Sequence, residues 1–195
     1  MGNIMDYIEW RGDLPFTQSE FNDVDNLILA CFSYVNLDGI QEAASQNGIE
    51  LKALTEKFLQ LHTEKELKED KSFIRFAPFM MLEMAKTERF GQCVIRNYVN
   101  EIVAEEAQQF SAVEICLSDG TSYISFRGTD DTIVGWKEDF NLSTGVVPAQ
   151  ERAVEYLRRI AGSLQEMVRV GGHSKGGNLA VYGAVMCKEI HPWIL

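Results

Sequence analysis

The sequence has no apolar run long enough to cross a bilayer, and its N-terminus has no apolar signal-peptide core. A membrane span needs about 20 consecutive apolar residues, whereas the opening MGNIMDYIEWRGD is acidic. The N-terminus also lacks the myristoylation pattern, because Asp6 stands where Ser or Thr is required. These absences predict a cytoplasmic protein with no transmembrane segment.

Basic residues are scarce relative to acidic ones. The 195 residues include 18 Lys and Arg against 29 Asp and Glu, which gives a formal net charge of −11. A field of this sign repels phosphate backbones, so nucleic acid is not an expected partner. The length favours one compact domain, or one with a small appendage.

Cysteine pairs of the CxxC type are absent. The four cysteines are Cys31, Cys93, Cys116 and Cys187. Without a secretion signal they are expected to be reduced thiols packed as small apolar residues. No metal site and no cofactor is predicted; the carboxylates of Asp130, Asp131, Glu138 and Asp139 are interpreted as caps and ion pairs because their loop spacing is uneven.

The first half, residues 1–92, is predicted to be mainly helical. Phe21–Tyr34 begins with an Asn/Asp cap candidate and continues into an apolar stretch. Apolar residues recur at helical spacing at Leu51, Leu54, Phe58 and Leu61. Pro78 is expected to open a helix whose Met-rich stripe fills the core, with an acyl-chain pocket as the alternative.

The second half, residues 93–195, is predicted to form a sheet. The stretch AVEICLSDGTSYISF is typical of an antiparallel hairpin with an Asp-Gly turn. An amphipathic helix over Glu151–Ala161, a strand over Met167–Val170 and a helix over Gly177–Glu189 follow. This order indicates an α/β fold with parallel neighbouring strands.

The strongest local motif is G-x-S-x-G, formed by Gly172, Ser174 and Gly176 between a predicted strand and a predicted helix. Such a turn strains the nucleophile's backbone, and glycines two residues before and after it remove the resulting clashes. We therefore expect a positive φ at Ser174 and a hydroxyl exposed beside the helix N-terminus. The alternatives are a phosphate-binding glycine turn and a simple helix cap.

A second motif, Phe126-Arg127-Gly128-Thr129, ends the return strand of the hairpin. A nucleophile elbow needs an oxyanion donor from the loop after a neighbouring parallel strand. Gly128 would allow a tight turn there, and the N–H of Thr129 would be that donor. The N–H of Lys175 would be the second donor.

Together, FRGT, Trp136 and Asp139 in GWKEDF, and GGHSKGGNLA resemble the class 3 lipases, an α/β-hydrolase family with the motifs FRG[ST], W..D and GHSLGG. The sequence is closer still to a bacterial lipase-like group of undetermined function, which shares DYIEWRGDLPF and GTDDTIVGWKEDF. The resemblance covers nearly the whole chain. It implies an α/β-hydrolase-like fold and a serine hydrolase that acts on a small-molecule or lipid ester.

The resemblance also implies roles for individual residues. Ser174 takes the nucleophile position, and Thr129 and Lys175 take the oxyanion-hole positions. The supporting residues fall in two groups: Gly172, His173, Gly176 and Gly177 in the elbow, and Arg127, Gly128 and Asp139 around the loop. Arg127 and Asp139 are expected to form an ion pair that fixes the loop.

The sequence departs from the lipase pattern in two ways. Lys175 replaces the usual Leu, and a cation beside the site would favour an anionic substrate over a triglyceride. The triad acid and base normally follow the nucleophile by many tens of residues, whereas the sequence stops at Leu195. The chain therefore resembles the N-terminal part of a longer hydrolase, or a natural truncation, without the later strands.

No histidine of the sequence is expected to act as the base, unless the helix after Ser174 breaks early or another subunit supplies His191. His191 lies 17 residues after Ser174, which is roughly 25 Å along a helix at about 1.5 Å per residue. His62 belongs to the helical half, and His173 is held by its own turn. We therefore expect no ester turnover from this chain alone. We also expect either self-association through an exposed edge at Met167–Val170 or a chain that is ordered only with help from a partner. The alternative function is a non-catalytic binding or scaffold protein with a hydrolase fold.

Overall fold

The computed structural model describes residues 2–69, 74–103, 108–129, 141–142, 145–161 and 167–187. These residues form a mixed α/β fold with five strands and eight helices. The helices are α1 (Ile4–Arg11), α2 (Asp23–Phe32), α3 (Gln41–Ala44), α4 (Leu51–Leu61), α5 (Glu64–Glu69), α6 (Ala77–Met84), α7 (Pro148–Ala161) and α8 (Lys175–Met186). The strands are β1 (Ile49–Glu50), β2 (Val94–Val103), β3 (Gln108–Cys116), β4 (Ser122–Phe126) and β5 (Val168–Gly172). Across the described ranges, no helix is both long and apolar enough to span a membrane.

The strands form one sheet in the order β1-β2-β3-β4-β5. The first three pairings are antiparallel, and β4 pairs with β5 in parallel. The predicted parallel pairing of the Phe126 strand with the strand before Ser174 is confirmed. The pairing of Phe126 with Gly172 brings the ends of β4 and β5 to the same edge of the sheet.

The predicted hairpin is confirmed as β3 and β4. Leu117 N–H donates to the Thr121 carbonyl at 2.8 Å, and Gly120 has a φ of 82°. Glycine adopts this left-handed conformation without a Cβ clash, which is why Asp-Gly is a turn signal. β3 begins at Gln108, four residues before the predicted strand.

The N-terminal helices largely follow the predicted pattern. Asn22 caps α2, because its side-chain oxygen accepts from Val24 N–H at 2.9 Å and from Asp25 N–H at 3.3 Å. In α4 the predicted apolar face is buried except at Leu61, which is 52% exposed. Segment 1–92 also supplies β1, so it contributes a short strand to the sheet as well as helices.

Two apolar layers cover the two faces of the sheet. Alternate residues of β3 point to opposite faces: Val113 and Ile115 belong to the cluster with the N-terminal helices, and Phe110 and Ala112 to the cluster with α7 and α8. The methionines of α6 belong to the first cluster, and Met80, Met81 and Met84 are at most 1% exposed. The core-filling interpretation of the Met-rich stripe is therefore confirmed.

A buried ion pair that the sequence analysis missed connects α2 to the segment after α6. Arg89 and Asp25 are fully buried and joined by two hydrogen bonds, of 2.8 Å from Nε and 2.6 Å from Nη2. The remaining guanidinium N–H groups donate to the backbone carbonyls of Leu14, Ser19 and Glu20. Every donor of Arg89 is thus satisfied inside the fold, which is the condition for tolerating a buried charge.

The cysteines behave as packed apolar groups. Cys31, Cys93 and Cys187 are buried, and Cys116 is half-buried. Burial raises the pKa of the Cys93 thiol to about 12 and raises the pKa of the Cys31 thiol. Neither thiol forms an appreciable amount of thiolate at neutral pH.

Candidate active site

Two short loops meet at the edge where β4 and β5 end. Phe126 and Gly172 are register partners, so Arg127–Thr129 and His173–Ser174 leave the sheet side by side. The edge at the carboxyl ends of parallel strands is where ligands bind in open α/β sheets. This meeting of the FRGT and GHSKGG motifs is as predicted from the sequence.

Ser174 has a strained backbone, with a φ of 57° and a ψ of −126°. The positive φ is as predicted, and the ψ lies outside the left-handed helical region, where it would be about +47°. Conformations of this kind cost on the order of 1–3 kcal/mol and concentrate at functional sites. The predicted strained turn is therefore confirmed.

The Ser174 hydroxyl is available at the surface. Ser174 is the N-cap residue of α8, but its side chain makes no capping hydrogen bond, so the simple-cap interpretation is wrong. Ser174 is also the one exposed serine among those that the structure describes. α8 begins at Lys175, two residues before the predicted start, because the strained turn ends at Ser174 itself.

Glycines at the flanking positions allow the elbow to pack against β4. A Cβ on Gly172 would lie 2.5 Å from both the Phe126 carbonyl oxygen and the Gly176 carbonyl carbon. A Cβ on Gly176 would collide with the same Phe126 oxygen. Gly177 has more room, since its Cβ would lie 3.1 Å from the Gly172 oxygen. The predicted steric need is therefore found at Gly172 and Gly176.

Gly128 brings the loop after β4 into contact with the elbow. A Cβ at this position would collide with the Tyr34 hydroxyl and lie 2.6 Å from the His173 carbonyl oxygen. The same Cβ would be 3.3 Å from Ser174 Cβ. The loop that carries Thr129 therefore lies directly beside the candidate nucleophile.

Tyr34 is a site residue that the sequence analysis missed. It follows the C-terminal end of α2, and its hydroxyl is 2.9 Å from His173 Nδ1. The two rings contact edge to face, with centroids 5.8 Å apart. His173 is thus held by an N-terminal residue, which agrees with an orienting role. No local motif marks Tyr34, because its partner lies 139 residues away.

Lys175 differs from the expectation of a cation facing the substrate. Its side chain is buried, at 4% exposure, and Nζ donates to the Gln109 carbonyl of β3 at 3.0 Å. Residues in the first turn of a helix present their N–H groups toward its N-terminal end. The Lys175 backbone N–H therefore remains an oxyanion-donor candidate, while the side-chain ammonium hydrogen-bonds to the Gln109 carbonyl inside the fold.

Arg127 joins the loop to the rest of the sheet. It is buried at 7% exposure, its N–H donates to the Ser111 carbonyl at 2.9 Å, and Nη2 donates to Asn100 Oδ1 at 2.9 Å. Its predicted partner Asp139 lies outside the described residues, as do Trp136 and the carboxylates of 130–138. The Arg127–Asp139 ion pair remains a prediction.

The described residues place no imidazole on the Ser174 hydroxyl. His173 contacts Tyr34, and the His62 ring packs on Phe58 with centroids 4.4 Å apart. His62 directly follows the last residue of α4, and α4 begins directly after β1, the strand at the opposite edge of the sheet from β5. His191 lies outside the described residues.

A protein-family model described as Mbeg1-like matches residues 84–192, more than half of the sequence. The chain belongs to the Mbeg1-like family. No curated protein and no solved structure matches it. The Mbeg1-like region contains both loops of the candidate site, whereas Tyr34 and the Arg89 partner Asp25 lie before it.

Proposed function

We propose that this Mbeg1-like protein is a serine hydrolase that acts on an acyl ester, with an α/β-hydrolase-like fold related to class 3 lipases. The observation that carries the proposal is the strained, exposed Ser174 beside the Gly128 loop. The lipase-like character of the Mbeg1-like family supports it. The substrate is a small-molecule or lipid ester, and the proposed location is cytoplasmic.

In the proposed reaction, Ser174 Oγ attacks the ester carbonyl and the N–H groups of Thr129 and Lys175 stabilise the oxyanion. The N-terminal end of α8 adds a favourable dipole for the developing negative charge. A base from outside the described residues takes the Ser174 proton and passes it to the departing alcohol as the ester C–O bond breaks, and an acid, also from outside them, orients that base. Water then hydrolyses the acyl-serine, which releases the carboxylic acid and restores Ser174. Acyl transfer by this route needs no cofactor.

Because Lys175 is buried, we no longer expect its charge to favour an anionic substrate. An ammonium bonded to Gln109 inside the fold does not select an anionic substrate. A neutral ester is therefore compatible with the elbow, and substrate selection falls to the residues that line the edge around Tyr34 and Thr129.

A fluorophosphonate probe tests this proposal in the protein expressed from its complete reading frame. An activated serine forms a covalent adduct with the probe, so peptide mapping should find the label on Ser174. Ser174→Ala should abolish labelling, while Ser19→Ala, a half-buried serine far from the elbow in sequence, should retain it.

The second candidate function is a non-catalytic binding or scaffold protein. It is favoured by the absence of an imidazole at Ser174 within the described part of the chain. Absence of labelling in folded protein from the complete reading frame would favour the scaffold and overturn the hydrolase proposal.

A further inference from the structure

A cavity of about 360 Å³ lies apart from the Ser174 edge. It opens between the turn that precedes β1, the strands β2 and β3, and the C-terminal part of α7. Its polar lining residues are Gln46, Asn47, Arg96, Asn97, Glu114 and Arg159. None of them belongs to the candidate active site.

A fully buried carboxylate organises the floor of this cavity. Glu114 Oε1 accepts from Arg96 Nη2 at 2.8 Å and from Ser122 Oγ at 2.9 Å. Glu114 Oε2 accepts from Asn97 Nδ2 at 2.7 Å. These bonds fix the Arg96 and Asn97 side chains in one arrangement, and pre-organised donors lower the entropic cost of binding.

The backbone beside the cavity is also fixed. Asn97 has a φ of 54° and lies in a register shift between β2 and β3. Its N–H donates to the Ser45 carbonyl at 3.0 Å, and its carbonyl accepts from the Tyr156 hydroxyl at 2.9 Å. β-Bulges re-aim side chains and are over-represented beside functional sites. Here the bulge places the neighbouring side chains of Arg96 and Asn97 in the same cavity wall.

The charge of the lining is positive, although the chain carries −11. Two arginines line the cavity against one carboxylate, and that carboxylate is already bonded to Arg96. Arg159 is exposed and lies over the Tyr156 ring, with Cζ 5.3 Å from the centroid. Within the described residues Arg159 makes no ion pair.

We propose that this cavity binds a small molecule through an oxyanion group, a phosphate or a carboxylate. The guanidinium groups of Arg96 and Arg159 supply charged donors, a combination suited to both anions. The amides of Gln46 and Asn47, which are exposed at the rim, supply neutral donors. The proposal is independent of the hydrolase proposal, because the two sites share no residue.

Isothermal titration of the whole chain with inorganic phosphate, and separately with acetate, tests the proposal at constant ionic strength. Saturable one-site binding of either anion is expected. Arg159→Gln should weaken it about tenfold, and Asn47→Ala should weaken it by a smaller factor. The matched control is Arg158→Gln, which removes the same charge from the adjacent exposed residue, outside the cavity lining.

The site is supported if Arg159→Gln weakens the anion affinity while Arg158→Gln leaves the affinity within about twofold of wild type. Equal losses in both arginine variants would show a diffuse charge effect and overturn it. A wild-type chain that saturates with neither anion would also overturn it. Circular dichroism of each variant separates lost binding from lost folding, and Asn47→Ala retains the test if Arg159→Gln fails to fold.

Discussion

At the scale of single residues, the elbow depends on positions where a side chain has no room. Gly172, Gly176 and Gly128 each bring backbone within contact of a neighbouring strand or loop. The first two were predictable, because the G-x-S-x-G pattern marks both positions, although the carbonyl that a Cβ on Gly176 would meet belongs to Phe126 of β4. Tyr34 was not predictable, because its contact with His173 depends on how α2 packs across the sheet.

Gly128→Ala should destabilise the chain and disturb the elbow. The new Cβ would collide with the Tyr34 hydroxyl and crowd the His173 carbonyl, an overpacking that typically costs about 1–3 kcal/mol. Thermal unfolding measures the loss. Gly145→Ala is the control, since a Cβ there meets no atom of the described residues within 4 Å. Equal stability of the two variants would contradict the contact.

Tyr34→Phe should cost about 1 kcal/mol, because it removes the hydrogen bond to His173 and keeps the ring contact. Denaturant unfolding measures this loss of unfolding free energy. Tyr182→Phe is the matched control, since the half-buried Tyr182 hydroxyl makes no hydrogen bond with the described residues. If both variants unfold at the wild-type midpoint, Tyr34 does not hold His173.

At the scale of elements, a buried ion pair between Arg89 and Asp25 joins α2 to the segment after α6. α2 could be predicted from its cap and apolar run, but the Arg89–Asp25 pair could not. Its partners are separated by 64 residues, and charged residues are almost never fully buried unless paired. The sequence pattern predicts elements, whereas this pair reflects how they dock.

Arg89→Met should destabilise the chain by about 3–5 kcal/mol, because Asp25 would be left buried without its cation. Chemical denaturation gives the free energy of unfolding. Lys86→Met serves as the control: it breaks the exposed Lys86–Glu83 pair and should cost less than about 1 kcal/mol. Similar losses in the two variants would reject a structural role for the buried pair.

At the scale of the whole molecule, the hairpin and the parallel β4–β5 pair were predicted from the motifs, whereas β1 and the exposed apolar face of α8 were not. Within the described residues β5 pairs only with β4. α8, which packs on β5, exposes Val181, Val185 and Met186. A sheet edge that no described residue pairs, beside an exposed apolar helix face, favours association with another chain.

The 195-residue chain should therefore self-associate in a concentration-dependent way, as sedimentation velocity can measure. Val181→Lys should shift the distribution toward monomer, because it places a charge on the exposed face of α8. Val24→Lys, the control, changes an exposed valine on α2 and should leave the distribution as in wild type. A wild-type chain that is monomeric throughout would contradict the expectation.

The central claim is that Ser174, Thr129 and Lys175 form one acyl-transfer site, and the crystal structure of a phosphonate adduct tests it most directly. In protein from the complete reading frame, we predict phosphorus on Ser174 Oγ and a phosphonyl oxygen about 2.7–3.1 Å from the backbone nitrogens of Thr129 and Lys175. An adduct on another residue, or a phosphonyl oxygen directed away from both nitrogens, would contradict the account.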